Sequence, residues 1–379
     1  MKKTLGEIFE IGSGGTPSKT HPEYYGGDIP WVKTGDLKDE YLYSVEDCIT
    51  EEGLKNSSAK MYQPGTVLIA MYGATIGATS ILKLDACTNQ ACAAFKPCKD
   101  VMPEYLYYFL RSKKQKFISD GVGGAQPNIS AGYLKKVNID IRTIEEQEKI
   151  VTVLGKLNGV IQKRQREIDE LDNIIKARFI EMFGDPMVNP KGWDKEVISE
   201  HIDLLSGFPF KSEQYVDEGI NICGGLIIMP QRIEWDNCVH WPSVDGYEDF
   251  LLNEGDIVMA LDRPWITEGF KVARVDGGHL PALLIQRTAR IRATDINQDY
   301  LYYCFIGGGF DKHSNVTGSL VPHISAKDIR SFEIMLPPIE LQNEFADFVK
   351  QVDKSKFAIQ KALAKTQTLF DSLMQEYFG

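Results

Sequence analysis

The feature that most constrains this chain is a heptad stripe that occurs twice. Ile150, Leu154, Leu157, Ile161, Ile168, Leu171 and Ile175 follow one another in steps of four and three, with Arg164 at the one polar position. That spacing keeps a single apolar seam along one face of a long helix, turned toward a partner helix. The same register returns 195 residues later in Phe345, Val349, Val352, Ile359, Leu363 and Phe370, with Lys356 and Thr366 as the polar exceptions. Two long helices are therefore predicted, each able to bury its stripe against the other. Thr143 to Glu146 fits a capping box at the start of the first, and Gly184-Asp185-Pro186 supplies a left-handed cap and a stop. The second begins after Pro337-Pro338 and runs to Gly379. About 40 residues at ~1.5 Å each make rods of roughly 60 Å.

The duplication reaches beyond the helices. Tyr105-Leu106-Tyr107-Tyr108 recurs as Tyr300-Leu301-Tyr302-Tyr303, and Pro127-Asn128-Ile129-Ser130 as Pro322-His323-Ile324-Ser325. Ile139, Glu145 and Gln147 likewise find Ile334, Glu340 and Gln342, with no gap from Tyr105 to Gly184. Farther upstream only landmarks agree: Gly14 with Gly207, and Gly65 to Ala70 with Gly255 to Ala260. Such a pattern is an internal repeat with a common frame and private loops. It divides the chain into a module at 1–143, a helix at 144–184, a second module at 185–338 and a second helix at 339–379. Short apolar runs after a glycine turn predict strands at 67–71 and 257–261, and alternation predicts another at 137–141. Residues 105–111 and 300–305 read as short helices. The class is α+β, with two β-rich modules and two long helices.

Charge is uneven. The net charge is −11, and residues 185–338 alone hold 13 Lys+Arg against 23 Asp+Glu. That counts against a nucleic-acid partner, although the footprint matters more than the total. Seven irregularly spaced cysteines suit a reducing cytoplasm better than a disulfide framework. No apolar run is long enough to span a membrane.

No catalytic constellation stands out. Gly12-Ser13-Gly14 fails the dinucleotide fingerprint because Pro17 takes the third glycine's place, and no Walker A sequence is present. Asn189-Pro190-Lys191 lacks the second proline and the aromatic of an amino-methyltransferase motif. Cys87, Cys92 and Cys98 lack zinc-knuckle spacing and a nearby histidine, so buried small hydrophobes are the better reading and no metal is expected. The paired Tyr-Leu-Tyr-Tyr runs could stack bases, but helical aromatics that recur in both halves fit a core better.

What remains is loop chemistry suited to recognition. Ser18 and Lys19, with Lys211 and Ser212, sit at comparable places in the two modules. Trp31, Lys33 and Thr34 share one apparent turn, while Tyr72 in one module and Arg263 and Trp265 in the other follow the repeated strand. Gln126, Asn128 and Ser130 in one copy, and His323 and Ser325 in the other, mark the repeated Pro-x-Ile-Ser segment. Lys, Ser and Thr reach phosphates; Arg, Asn and Gln can bond base edges in pairs.

These residues carry a resemblance. The order module, helix, module, helix, with Gln126-Pro127-Asn128-Ile129-Ser130 leading to Ile144-Glu145-Glu146-Gln147, resembles the specificity subunit of type I restriction–modification enzymes. So do Pro322-His323-Ile324-Ser325 leading to Pro337-Pro338-Ile339-Glu340, and the openings Gly14-Gly15-Thr16-Pro17-Ser18 and Ile29-Pro30-Trp31. The resemblance covers essentially the whole chain. It implies a non-catalytic subunit whose two target-recognition domains each read half of a bipartite site in double-stranded DNA. It also implies antiparallel helices that form a coiled coil, relate the modules by a pseudo-twofold axis and set the spacer. Two methyltransferase subunits would dock on the halves, methylating adenine N6 with S-adenosylmethionine. A restriction subunit using ATP and Mg would join them, so those cofactors belong to partners. The second module departs from the pattern at Val321, where the first has Gln126, and its acidity leaves a protein-binding scaffold as the alternative.

Overall fold

The computed structural model describes residues 2–121, 128–307, 309–313 and 322–379. They form two compact units, Met1–Gln165 with Lys361–Gly379, and Arg166–Gln360. Gln126 and Val321 lie outside the described residues.

The first unit is built on a five-stranded sheet of β1 (Ile11–Ser13), β2 (Tyr41–Leu42), β3 (Val67–Ala70), β4 (Thr79–Leu82) and β5 (Cys92–Phe95), in the order β1-β5-β3-β4-β2. Every residue of β3, β4 and β5 is buried, which explains why β3 reads as an unbroken apolar run. The period of two divides them between two cores. Val67 and Ile69 pack with α1 (Pro103–Ser112), whereas Leu68 and Ala70 pack with Val32, Leu42 and Tyr62 on the other face. Residues 105–110 of α1 are all buried, so the tyrosine run is core. The Tyr105 hydroxyl donates to the Asp140 carbonyl at 3.0 Å. The short helix α2 (Ala131–Lys135) precedes the long α3 (Ile144–Phe183).

The second unit repeats the plan with one strand fewer. Its sheet consists of β6 (Ile202–Ser206), β7 (Ile257–Ala260), β8 (Val272–Arg274) and β9 (Thr288–Ala293), in the order β6-β9-β7-β8. Ile257 and Met259 pack with α4 (Gln298–Ile306), and Val258 and Ala260 with Trp235 and Leu284. Tyr300 donates to the Met335 carbonyl at 2.8 Å, the same bond 195 residues on. The helices α5 (Ala326–Arg330) and α6 (Ile339–Phe378) follow.

Each module is closed by a clasp of its ends. Lys2–Thr4 pairs antiparallel with Asn138–Asp140, and Lys195–Val197 with Glu333–Met335. The strand expected near 137–141 is half of the first clasp. Just after it, Thr143 and Glu146 form the expected capping box: the Thr143 amide donates to the Glu146 carboxylate at 2.9 Å, and the Glu146 amide to the Thr143 hydroxyl at 3.3 Å. Gly184, at φ +85°, takes the left-handed cap. A buried glutamine then ties the start of each long helix to the N-cap of the tyrosine-bearing helix of its module, α1 or α4. Gln147 Oε1 accepts from the Met102 amide at 2.9 Å while its Nε2 donates to Asp100 and Arg142 carbonyls. Gln342 does the same with the Asn297 amide, at 2.9 Å, and the Pro337 carbonyl.

Within each unit the heptad seam is buried against the other long helix, in antiparallel sense. In the first, Ile150 and Leu154, flanked by Leu157 and Ile161, pack with Phe370, Met374 and Phe378. In the second, Ile175, Phe179 and Phe183, flanked by Leu171, pack with Phe345, Val349 and Val352. Ile168 is buried, and Ile359 and Leu363 are half-buried. A fully buried Phe or Leu contributes about 1.5–3 kcal/mol, so each group of seam residues is a substantial part of its unit's core. The polar exceptions have partners. Arg164 donates to the Thr366 hydroxyl and, at 2.5 Å, to the Ala362 carbonyl; Lys356 pairs with Asp172 at 2.5 Å. Among the described residues, no helix is long and apolar enough to cross a membrane.

Candidate nucleic-acid interface

The private loops of each module meet at the end of its central strand. In the first unit the Met71 amide, just past β3, donates to the Ala91 carbonyl at 2.8 Å, and the Met71 carbonyl accepts from the Ile129 amide at 3.0 Å. Tyr72 and Asn128 then form an isolated bridge. The turn 88–91, which links strands of two different sheets, is held on its other side, where the Gly15 amide donates to the Thr88 carbonyl and the Asn89 amide to the Val32 carbonyl, both at 2.9 Å. Gly14 has to be glycine for this approach, because a Cβ there would lie 1.8 Å from the Thr88 carbonyl oxygen. The Thr16 hydroxyl reaches the Gln90 carboxamide.

The second unit repeats the junction with other side chains. Past β7, the Leu261 amide donates to the Arg287 carbonyl and the Leu261 carbonyl accepts from the Ile324 amide, both at 2.9 Å. Asp262 and His323 form the bridge corresponding to Tyr72 and Asn128. A Cβ on Gly207 would lie 2.0 Å from the Ile285 carbonyl oxygen. One backbone scaffold therefore presents two different sets of side chains.

Most of the residues singled out in the sequence sit on or beside these junctions. Ser18 and Lys19 are exposed, as are Asn128, Lys211, Ser212, Arg263 and His323; Tyr72 is 41% exposed. Lys33 is half-exposed, pairs with Asp47 at 2.5 Å and lies over the Trp31 ring, with Thr34 beginning the next turn. Trp31 corrects the expectation of an aromatic offered on a turn. It is 5% exposed at the end of a strand, and its indole nitrogen donates to the Gly15 carbonyl at 3.0 Å. Its alternation with Val32 gave no sign of that, since both residues are buried, on opposite faces. Trp265 is half-buried and stacks on Phe270 at 4.7 Å. Ser130 and Ser325 are helix N-caps, their hydroxyls accepting from the Tyr133 and Asp328 amides at 3.1 and 3.2 Å.

Sequence reasoning missed the turns between the two sheets. Asn89 and Gln90 in the first unit, and Gln286 and Arg287 in the second, lie between two short, largely buried strands, a turn signature that could have been followed. Arg263 and Arg287 have φ of +46° and +62°. Such positions cost about 1 kcal/mol or more and collect at functional sites. Arg287 donates to Asp262 at 2.5 Å. With Lys271 they line a cavity of about 520 Å³ that also includes Tyr215 and Leu226. Burial, aided by Arg263, holds the Lys271 ammonium below its usual pKa, and it donates to the Gly225 carbonyl. Three cations around one aspartate make this mouth locally positive within an acidic module.

Burial pushes the Cys87 thiol up to about 11 and the Cys92 thiol up to about 12. They lie in different clusters. Among the described residues, no group of His, Cys, Asp or Glu could hold a metal ion.

Comparison with known proteins places this geometry. The family model described as "Type I restriction modification DNA specificity domain" matches residues 1–173 and 229–367. The MjaIX specificity subunit of Methanocaldococcus jannaschii is 28% identical over 98% of this chain and 91% of its own length. The EcoAI specificity subunit of Escherichia coli is 31% identical over 50% of this chain and 33% of its own length. A type I restriction–modification S subunit from M. genitalium has the same fold, with a TM-score of 0.57 at 14% identity over 100% of this chain and 96% of that one.

Proposed function

The chain belongs to the type I restriction modification DNA specificity family, and on that premise we propose that it is the non-catalytic subunit that selects the DNA site. Each module reads one half of a bipartite, asymmetric sequence in double-stranded DNA. The observation that carries the reading is the loop junction built twice on one backbone plan, Tyr72–Asn128 in one module and Asp262–His323 in the other. A shared frame with different side chains is what reading two different half-sites requires.

In the first module the reading set is Ser18, Lys19, Lys33, Thr34, Tyr72, Gln126 and Asn128, joined by Asn89 and Gln90. In the second it is Lys211, Ser212, Arg263 and His323, joined by Gln286 and Arg287. Ser130 and Ser325 shape the loops by capping, while Trp31 and Trp265 support them from behind. Arg and Gln side chains suit paired contacts to base edges, and Lys and Ser suit phosphates. Within each unit the two long helices pack antiparallel over their heptad seams. They fix the unread spacer and dock two methyltransferase subunits, which bring S-adenosylmethionine; restriction subunits bring ATP and Mg. The acidity of the second module favours the alternative of a protein-binding scaffold. The cations gathered at the mouth beside Asp262 favour DNA.

Mapping N6-methyladenine after co-expression with the methyltransferase subunit tests the proposal. A motif of two short blocks around an unread gap is expected. An undivided motif, or none despite a stable complex, would overturn it.

A further inference from the structure

Each module is also joined to a long helix by a polar contact, and the two contacts have opposite chemistry at the same repeat positions. In the first unit the partner from the module is an acid at the sheet edge. The Glu40 carboxylate, beside β2, accepts from the Tyr108 hydroxyl and from Asn158 Nδ2 on α3, each at 3.1 Å. The adjacent Tyr41 hydroxyl donates to Glu104 at 3.2 Å. In the second unit the partner from the module is a cation at the sheet edge. Arg274, ending β8, donates to Asp299 at 2.6 Å and to Asp353 on α6 at 2.7 Å, and lies over the Tyr302 ring. Burial opposes its charge, but Asp353, Tyr302 and Asp299 outweigh that and raise its pKa.

Asn158 and Asp353 are repeat equivalents, as are Glu104 and Asp299, and Tyr107 and Tyr302. The sheet-edge residues, Glu40 and Arg274, differ in charge, and the helix residues that meet them, Asn158 and Asp353, differ with them. In the first unit β2 is the extra strand that brings Glu40 to the edge, whereas in the second β8 is itself the edge. Exchanging the two helix residues would set a second carboxylate, at position 158, within hydrogen-bonding distance of Glu40. It would leave Arg274 with an amide in place of one of its two acids.

We propose that residues 158 and 353 are selector positions, which match each long helix to the edge chemistry of its own module. The partner each accepts is a recognition module of defined polarity: one with an edge carboxylate at the first helix, and one with an edge guanidinium at the second. A module moved to the other helix would be mismatched until the selector is changed with it. The pairing stands on the two joints themselves; only the half-site readout below rests on the proposed function.

The test uses the full chain and a cycle in which amide and carboxylate trade places. Asn158→Asp should lower Tm by roughly 5 °C and increase amide exchange in α1. Adding Glu40→Gln should restore most of both, because the new carboxamide on the sheet edge can then donate to the new carboxylate on the helix. Additive effects of the two changes would overturn the proposal. Asp353→Asn is the second arm, and it should raise exchange in α4 while α1 is unaffected; unchanged exchange in α4 would equally overturn it. In the methyltransferase complex, Asn158→Asp should relax one half-site only. Coupled stabilities with no split motif in any variant would instead refute the DNA reading and leave the selector pairing standing.

Discussion

The two loop junctions have the same backbone and almost no side chain in common. Met71 and Leu261 make the same pair of main-chain bonds, to the turn between the sheets on one side and to the Pro-x-Ile-Ser segment on the other. Beside them stand Tyr72 and Asn128 in one unit, and Asp262, Arg263 and His323 in the other. The frame is held by groups every residue carries, so the side chains at the junction are free to differ. That separates stability from selectivity, and the separation can be attacked at several points.

The harshest attack is on the close approach itself. Gly14→Val and Gly207→Val should each cost roughly 3 kcal/mol or more, since the new Cβ meets a carbonyl that cannot withdraw. Urea denaturation checks this, and a large loss in one unit alone would show that the junctions are not equivalent. Next come the buried glutamines. Gln147→Ala and Gln342→Ala each strand a buried amide N–H and should cost about 2 kcal/mol, alike in the two units. Side chains on the turns between the sheets should behave in the opposite way. Gln90→Ala and Gln286→Ala should leave unfolding within about 0.5 kcal/mol of the parent. Each is expected to weaken discrimination at a different half-site by about 1–3 kcal/mol. Methylation maps of the two variants that lose the same half-site would break the comparison.

The smallest effect separates the two short helices after the junctions. The α5 cap uses an acid: the Ser325 amide and hydroxyl both donate to Asp328, at 2.7 and 2.6 Å. Burial raises the Asp328 pKa, but those bonds outweigh it and hold the group below its usual value. A carboxyl depressed in the folded state stabilises above its unfolded pKa, about 4, and loses that contribution as pH falls through the folded value. The α2 cap has Tyr133 at the matching position and no acid. Acidification from pH 6 to pH 3 should therefore speed amide exchange at the start of α5 while the Tyr133 amide holds. Equal acceleration at both ends would count against the bond geometry at Asp328.

Much of the frame was legible in the sequence because it depends on periodicity. The heptad seams, the strands at Val67 and Ile257, the capping box at Thr143 and the buried tyrosine runs each repeat a spacing that one element imposes. The polar breaks in the seam, Arg164 and Thr366, were visible as exceptions. Their pairing was not, because it depends on how two helices 200 residues apart in sequence are staggered. The proposed reading surface was legible only in outline. Trp31 looked available beside Lys33 and is buried, since a short apolar run does not say which of its residues face a second layer. Asn89, Gln90, Gln286 and Arg287 were overlooked because a turn between two sheets acquires neighbours only when other loops close on it. The polarity exchange between Glu40 and Arg274 had no local signal at all, as one belongs to an added strand and the other to the common sheet.

The two units also differ in how the polypeptide supplies them. The second is one uninterrupted stretch, Arg166–Gln360, whereas the first needs Lys361–Gly379 to complete it. Phe370, Met374 and Phe378 are buried among Tyr105, Tyr108 and Leu154. On the ribosome, then, the order of synthesis is not the order of completion. The module at 1–143 emerges before the second unit but has a gap in its core until residues 361–379 are made, by which time the second unit already has all its parts. A nascent chain stalled after residue 360 should carry a protease-resistant second unit and a first unit still open to cleavage.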